Sequence, residues 1–119
     1  AGTFSIETDA TYGKVLSINT SGTPKAVVYV GYDLAGVDLS NYTSVTFKVY
    51  NPASKNLIFA VIKRGYEKAY ATATLLPGEW TEITMSAKDF KSAGYFYFAD
   101  LRDAPENAKI LITDVIAHN

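Results

Sequence analysis

The sequence contains no cysteine, one histidine and one tryptophan among its 119 residues. The absence of cysteine excludes disulfides, cysteine nucleophiles and thiolate metal sites. The histidine, His118, is the penultimate residue. Chain termini are usually mobile, so it is poorly placed as a general base and a Ser-His-Asp triad is not expected. The acidic residues lie mostly at predicted strand ends or turns, and no glycine-rich phosphate loop is present. The chain is therefore predicted not to be an enzyme.

The sequence also lacks an excess of charge of either sign and any long apolar run. The chain has 11 Lys and Arg residues and 12 Asp and Glu residues. The resulting net charge of −1 gives no electrostatic signal for binding to nucleic acid or to an anionic membrane. The longest apolar stretch, 57–62, has the length of a strand, whereas a membrane helix needs roughly 18 residues. A hydrophobic content of 48% suits one globular domain over 1–119.

The chain starts Ala1-Gly2-Thr3, without a basic and apolar leader. We expect an excised module whose export signal belongs to a larger parent protein. The expected setting is a secreted or extracellular bacterial enzyme, since secreted bacterial domains do not require disulfides. The module itself is expected to be a monomer.

Turn-forming residues recur along the chain and separate short runs rich in Val, Ile, Thr, Tyr and Phe. This pattern predicts an all-β sandwich or barrel. A helical turn is expected at 87–91, after Ser86 as its N-cap. The predicted strands are 3–7, 14–20, 25–33, 44–50, 56–63, 67–75, 81–86, 95–101 and 109–117.

Two of these strands have informative faces. In 44–50, Val45, Phe47 and Val49 alternate with polar residues and are expected to point into the core. In 56–63 both faces are apolar. That strand is expected either to be covered on both sides or to line a cleft.

Residues 66–75, read as a strand, place Tyr66, Lys68 and Tyr70 on one face and a row of alanines on the other. If the alanines pack inward, the tyrosines look outward. An exposed aromatic face with polar neighbours suits a sugar ring, because C–H groups stack on the ring and hydroxyls find partners beside it. The alternative is that these are ordinary half-exposed strand residues.

The strand at 95–101 alternates between two sets, one ending apolar and the other ending charged. We therefore expect Ala99 and Leu101 in the core, and Phe98, Asp100 and Arg102 on the open face. The alternative is a surface ion pair, and a β-bulge would reverse the faces.

Arg64 follows the outward face of 56–63. If the strands at 56–63, 67–75 and 95–101 share one sheet, a ligand-binding groove follows. Its predicted residues are Arg64, Tyr66, Tyr70, Phe98, Asp100 and Arg102.

Metal binding is a second expectation. Calcium takes carboxylate and backbone oxygens. The first and last strands of a sandwich often run side by side, so Glu7 or Asp9 is expected to approach Asp114. The alternative is that these residues are exposed charges.

Four segments, taken in order, resemble β-jelly-roll carbohydrate-binding modules of plant cell-wall-degrading enzymes. They are the glycine-led strand at 12–18, the DLSNYTSVTF run at 38–47, the PGEWTEI run at 77–83 and the closing strand at 109–115. The resemblance spans about residues 4 to 117. It implies an all-β jelly roll, a β-sandwich of two antiparallel sheets. The closing strand is similar to those of modules that hold a structural calcium, with Asp114 at the usual carboxylate place.

The C-terminal part is similar to family-29-type modules, which bind mannan, glucomannan and cellulose chains. In those modules a binding strand leads into an Asp-Ala-Pro turn, here 103–105. This resemblance implies polar ligand positions at Asp100 and Arg102, with Phe98 on the same face. Those modules stack sugars on tryptophans near the N-terminus, whereas Trp80 here stands at a strand start. The stacking surface is then expected to be tyrosine or phenylalanine.

The resemblance implies non-catalytic binding of a β-linked plant polysaccharide of the β-glucan, glucomannan or xyloglucan class. Binding in an open groove would target an appended glycoside hydrolase. The alternative is a structural or adhesion β-sandwich whose tyrosine face packs against a neighbouring domain. A third alternative, a small glycosidase, would release sugar.

Overall fold

The computed structural model describes residues 2–11, 13–20, 27–34, 36–63, 68–99 and 109–119. Within this part of the chain the sequence folds into β-strands and one short helix, so the predicted all-β sandwich is confirmed. Every strand pairing among these described residues is antiparallel. No helix among these residues is long and apolar enough to cross a membrane. The elements are β1 (Gly2–Asp9), β2 (Gly13–Thr20), β3 (Val27–Gly31), β4 (Ser44–Tyr50), β5 (Leu57–Lys63), β6 (Lys68–Leu75), β7 (Trp80–Ser86), α1 (Ala87–Ala93), β8 (Gly94–Ala99) and β9 (Lys109–His118).

The strands form two sheets that pack face to face. The five-stranded sheet has the order β1-β2-β9-β4-β7, and the four-stranded sheet has the order β3-β8-β5-β6. The strands at 56–63, 67–75 and 95–101 therefore share one sheet, as expected, with β5 in the middle. Strand β2 lies between β1 and β9, so the first and last strands are not neighbours.

The inward faces of the two sheets make one hydrophobic core. Val45, Phe47 and Val49 point into it as predicted, with at most 2% of each residue exposed. From the opposite sheet, Phe59 and Phe98 enter the same core and are fully buried. Burial of one such phenylalanine contributes about 1.5–3 kcal/mol. The core fixes which face of each sheet remains open to solvent.

The short helix α1 closes one end of the sandwich. Its predicted cap is confirmed: the Ser86 side chain accepts a hydrogen bond of 3.0 Å from the Asp89 backbone N–H. Gly94 ends the helix with a φ of 84°, a left-handed conformation that glycine adopts without strain. Ala87 and Phe90 lie on the inner face of the helix and are buried. The helix therefore leads directly into β8 and sets where that strand begins.

A buried asparagine organises the turns after β4 and β6. Asn51 is fully buried. Its side-chain amide donates to the carbonyls of Lys55 at 2.8 Å and Leu75 at 2.9 Å, and its side-chain oxygen accepts from the Ala53 N–H at 2.9 Å. Because a buried amide must be hydrogen-bonded, these contacts fix both turns.

Candidate functional site

The outer face of the four-stranded sheet carries two tyrosines side by side on one strand. Tyr95 stands opposite Ile62 in the β5–β8 ladder, and Tyr97 stands opposite Ala60. Directly paired residues in an antiparallel ladder lie on the same face. Ile62 and Ala60 are only 8% and 5% exposed although they point away from the core. The face is therefore an apolar strip with aromatic side chains standing directly beside it.

The identity of the aromatic residue decides which way each side chain of β8 points. Phe96 and Phe98 are 7% and 0% exposed and belong to the core, whereas Tyr95 and Tyr97 are half-buried on the opposite face. Phenylalanine has no polar atom, while the phenolic hydroxyl of tyrosine needs a hydrogen-bond partner. The core is also aromatic at this point: the Phe96 ring centroid is 5.6 Å from that of Phe47.

Phe98 was predicted on the open face, and this placement is wrong. It pairs with the equally buried Phe59 and has no surface for a ligand to contact. The prediction followed the charged residues at positions 100 and 102, which lie outside the described part of the chain. The alternation itself holds, but its two faces are exchanged. Tyr95 and Tyr97, which the sequence argument left aside, take the place predicted for Phe98.

Tyr70 was predicted to look outward, and this placement is also wrong. The register between β5 and β6 shifts at this point: Val61 pairs with Ala71, but Ile62 pairs with Ala69. Tyr70 is thus the extra residue of a β-bulge. A bulge interrupts the alternation of faces. Ala69 is exposed, and the half-buried Tyr70 packs against the core.

Beyond the bulge the prediction for β6 is confirmed. Ala71, Ala73 and Leu75 turn toward the core, and Thr72 and Thr74 are exposed. Thr72 stands opposite Ala60 in the ladder. Its row across the sheet therefore runs from Tyr97 through Ala60 to a threonine, with an aromatic ring at one end and a hydroxyl at the other.

The other four predicted ligand residues, Arg64, Tyr66, Asp100 and Arg102, lie outside the described residues. The described residues Lys63 and Ala99 lie at opposite ends of the β5–β8 ladder. Lys63 pairs with Gly94 at one end of β5, and Ile58 pairs with Ala99 at the other. These two ends are roughly 16 Å apart, at about 3.3 Å per residue.

The carboxylates proposed for calcium are held by two different lysines. Glu7 is 2.6 Å from the Lys109 ammonium, and Asp114 is 3.5 Å from that of Lys48. The hydrogen bond from Lys109, followed by one from Ser17, lowers the pKa of the Glu7 carboxyl. The premise that β1 runs beside β9 is wrong, because β2 lies between them. Among the described residues, no three histidine, cysteine or acidic side chains gather to hold a metal ion. Calcium binding itself stays a prediction.

A cleft of about 410 Å³ lies elsewhere, between the loop at 38–42 and α1. Two of its charged groups already stabilise the loop: Asp38 accepts from the Ser40 N–H at 2.9 Å, and Lys91 donates to the Val37 carbonyl at 2.8 Å. The hydrogen bonds from Ser40 lower the pKa of Asp38. These contacts stabilise a turn, and the two-tyrosine face remains the better candidate site.

The single histidine lies in the last strand and has a hydrogen-bond partner. His118 belongs to β9, and its Nε2 is 2.7 Å from Thr46 Oγ1. No acidic partner that could orient the ring as a catalytic base is among its described hydrogen bonds. His118 thus lies within a strand, and the ring's described neighbour is a hydroxyl.

The fold is similar to that of several carbohydrate-binding modules. A family 11 module of a cellulosomal cellulase of Clostridium thermocellum matches with a TM-score of 0.59 and 12% identity, over 100% of this chain and 82% of that one. A family 22 module of Clostridium thermocellum Xyn10B matches with a TM-score of 0.56 and 11% identity, over 98% and 81% of the two chains.

A family 29 module variant complexed with mannohexaose matches with a TM-score of 0.54 and 18% identity, over 98% of this chain and 74% of that one. No family model matches the sequence, and no curated protein does. At these identities the likeness shows the fold alone. The resemblance to carbohydrate-binding modules is thus confirmed as a shared jelly-roll fold.

Proposed function

We propose that this chain is a non-catalytic module that binds a neutral β-linked polysaccharide across the outer face of the four-stranded sheet. One observation carries the proposal. Tyr95 and Tyr97 are half-exposed on that face, while the phenylalanines between and after them are buried. The tyrosines are two residues apart, roughly 7 Å along the strand, which offers two aromatic contacts to one sugar chain.

The surroundings of the two rings fit a hydroxyl-rich ligand. Ile58 is 38% exposed at one end of the apolar strip, and Thr72 and Thr74 present hydroxyls beside it. Such a face combines apolar area for sugar C–H groups with hydrogen-bonding groups for hydroxyls. The predicted contacts of Arg64, Tyr66, Asp100 and Arg102 remain part of the proposal.

The ligand class is proposed from this surface and from the proteins that share the fold. Among those proteins are a family 11 module in complex with a β-1,3-1,4-mixed-linked tetrasaccharide and the family 29 module complexed with mannohexaose. We propose β-glucan, glucomannan or xyloglucan as the class of ligand. Pectin is disfavoured, because the net charge of −1 offers no attraction to an acidic polymer.

The biological role proposed for binding is to keep an appended glycoside hydrolase on its substrate. A tethered enzyme meets polysaccharide at a raised effective concentration. One structure of the same fold joins such a module to a catalytic module: the xylanase structure complexed with xylohexaose, of which this chain covers 24%. We propose a secreted parent protein and a monomeric module.

Affinity gels containing barley β-glucan, glucomannan, xyloglucan or pectin test the proposal directly. The parent chain should be retarded by at least one neutral polymer and not by pectin. Tyr97→Ala should weaken the retardation about threefold to tenfold, the loss expected for one aromatic contact. Tyr42→Ala is the matched control, since Tyr42 is an exposed tyrosine on a loop away from this sheet. Equal retardation of the two variants would contradict the proposed face, and sugar release would contradict a non-catalytic role.

A second candidate, a structural or adhesion domain, is favoured by a separate observation. Val37, Val115 and Ile116 are 43%, 55% and 48% exposed. Val37 and Val115 also line an apolar cleft of about 200 Å³ that reaches the core at Phe90. An exposed apolar patch of this kind suits contact with a neighbouring domain. Failure of every polysaccharide to retard the chain would favour this alternative.

A further inference from the structure

The opposite sheet carries an aromatic pair that the proposed site does not use. Tyr50 and Trp80 are cross-strand partners in the β4–β7 ladder, with ring centroids 5.2 Å apart and planes at 42°. Val49, next to Tyr50, is fully buried in the core. Tyr50 therefore points to the outer face of the five-stranded sheet, and Trp80 lies on the same face. Both residues are half-buried.

Charged groups adjoin this pair along the same two strands. Lys48 and Glu82 are partners two residues away, roughly 7 Å along the strands. The Lys48 ammonium is 3.8 Å from Glu82 and 3.5 Å from Asp114, and all three side chains reach solvent. An aromatic surface beside hydrogen-bond donors and acceptors thus occurs on this sheet as well.

We propose that Tyr50 and Trp80 form a second carbohydrate contact, separate from Tyr95 and Tyr97, that stacks against a sugar ring of a neutral polysaccharide. The adjacent charges set the ligand class. One ammonium is shared by two carboxylates, so the group has a net charge of −1. Acidic polymers are repelled, while sugar hydroxyls can hydrogen-bond to the carboxylates and the ammonium.

A protein partner fits this surface less well than a glycan does. The centres of protein interfaces are depleted of charged residues. Covering Lys48, Glu82 and Asp114 with protein would remove water from three charges, a penalty that their mutual attraction does not reliably repay. A polysaccharide leaves water among these groups, and water-mediated contacts are nearly as favourable as direct ones.

The tryptophan makes this proposal separable from the proposed function. Trp80 is the only tryptophan in the chain, so its emission reports on this sheet alone. The experiment uses the double variant Tyr95→Ala/Tyr97→Ala, which lacks the aromatic groups of the first site. Barley β-glucan or glucomannan should change the Trp80 emission of this variant, and pectin should not. In affinity gels, adding Tyr50→Ala to the double variant should weaken retardation a further threefold to tenfold.

Tyr42→Ala in the same background is the matched control for the gels, and thermal melting of each variant checks its fold. The emission measurement needs no substitution at this sheet, so misfolding of the Tyr50 variant leaves the test intact. Unchanged Trp80 emission at polysaccharide concentrations that retard the parent chain would overturn the second contact while leaving the first. Emission that depends on protein concentration, and not on polysaccharide, would overturn it in favour of self-association. If polysaccharide changes the Trp80 emission and the Tyr95 and Tyr97 substitutions do not weaken retardation, the result would support this second contact and reject the first.

Discussion

The ring of Tyr95 lies against Gly31 on the neighbouring strand. Its Cε1 atom is 3.2 Å from the position that a Cβ on Gly31 would occupy. The two residues are paired in the β3–β8 ladder. Because glycine carries no side chain, the tyrosine ring can approach the backbone of β3 this closely. The position of one proposed binding residue therefore depends on a glycine that itself presents nothing to a ligand.

Substitution of this glycine should move the ring. Gly31 has no positive φ, so a larger residue is not excluded by backbone strain. In Gly31→Val, the branched side chain would meet the Tyr95 ring and displace it. We expect polysaccharide retardation to weaken about threefold to tenfold, as for the loss of one aromatic contact. Affinity gels measure this effect, with thermal melting to show that the fold survives. Gly31→Ala is the graded control, and full retardation of Gly31→Val would mean that Tyr95 does not contact the ligand.

Neighbouring aromatic residues on β8 should respond to truncation in opposite ways. Phe98 is fully buried, and Phe98→Ala should lower the free energy of unfolding by about 3–5 kcal/mol through the cavity it leaves. Tyr97→Ala removes a half-exposed ring, so it should lower the free energy of unfolding less than Phe98→Ala does and weaken polysaccharide retardation more. Urea denaturation and affinity gels, run on both variants, separate the two effects. A Phe98→Ala variant that keeps the stability of the parent chain but no longer binds would contradict the core position of Phe98 and indicate that it contacts the ligand.

Much of the architecture could be predicted because local rules determine it. The alternation of 44–50 identified its buried face, and the Ser86 cap identified the start of the helix. The faces of β6 and β8 could not be predicted in the same way. At Tyr70 a one-residue bulge reverses which side chains of β6 face the core, and no residue type in the sequence indicates the bulge. At β8 the signal was present: phenylalanine lies inward and tyrosine outward, whereas the charges at 100 and 102 suggested the reverse.

The metal site illustrates a different limit. The prediction that Glu7 lies near Asp114 assumes that the first and last strands are neighbours. That assumption fails because the order of strands in a sheet depends on the whole topology. The charges themselves are informative only with their partners. Each of these carboxylates has a lysine within 4 Å, at 2.6 Å for Glu7 and 3.5 Å for Asp114. Sequence alone shows neither the order of the strands nor these pairs.

Calcium at Asp114, expected from the closing-strand resemblance, can be tested through Lys48. A divalent cation bound by Asp114 would compete with the Lys48 ammonium, which lies 3.5 Å from that carboxylate. Lys48→Met keeps most of the aliphatic chain and removes this competitor. We expect calcium to raise the thermal midpoint of Lys48→Met more than that of the parent chain, and a chelator to reverse the rise. Identical midpoints with calcium and with chelator, in both proteins, would contradict calcium binding by this group.

The last prediction concerns Tyr32, whose half-buried ring packs against the core beside α1. Its ring stacks on Phe90 with centroids 4.7 Å apart, and its hydroxyl donates to the Phe90 carbonyl. Burial raises the pKa of Tyr32 to about 12, because partial loss of water disfavours the charged phenolate. The unfolded chain loses this proton near pH 10, so the stability contributed by the neutral phenol is fully present below about pH 10 and is lost as the pH rises toward 12.

The variant Tyr32→Phe tests this pH dependence, because it lacks both the hydroxyl and its titration. At neutral pH the variant should be about 1 kcal/mol less stable, through the lost hydrogen bond. Urea denaturation of both proteins should show that difference shrinking as the pH rises above about 10. A difference that stays constant over this range would mean that the Tyr32 phenol titrates alike in the folded and unfolded chains.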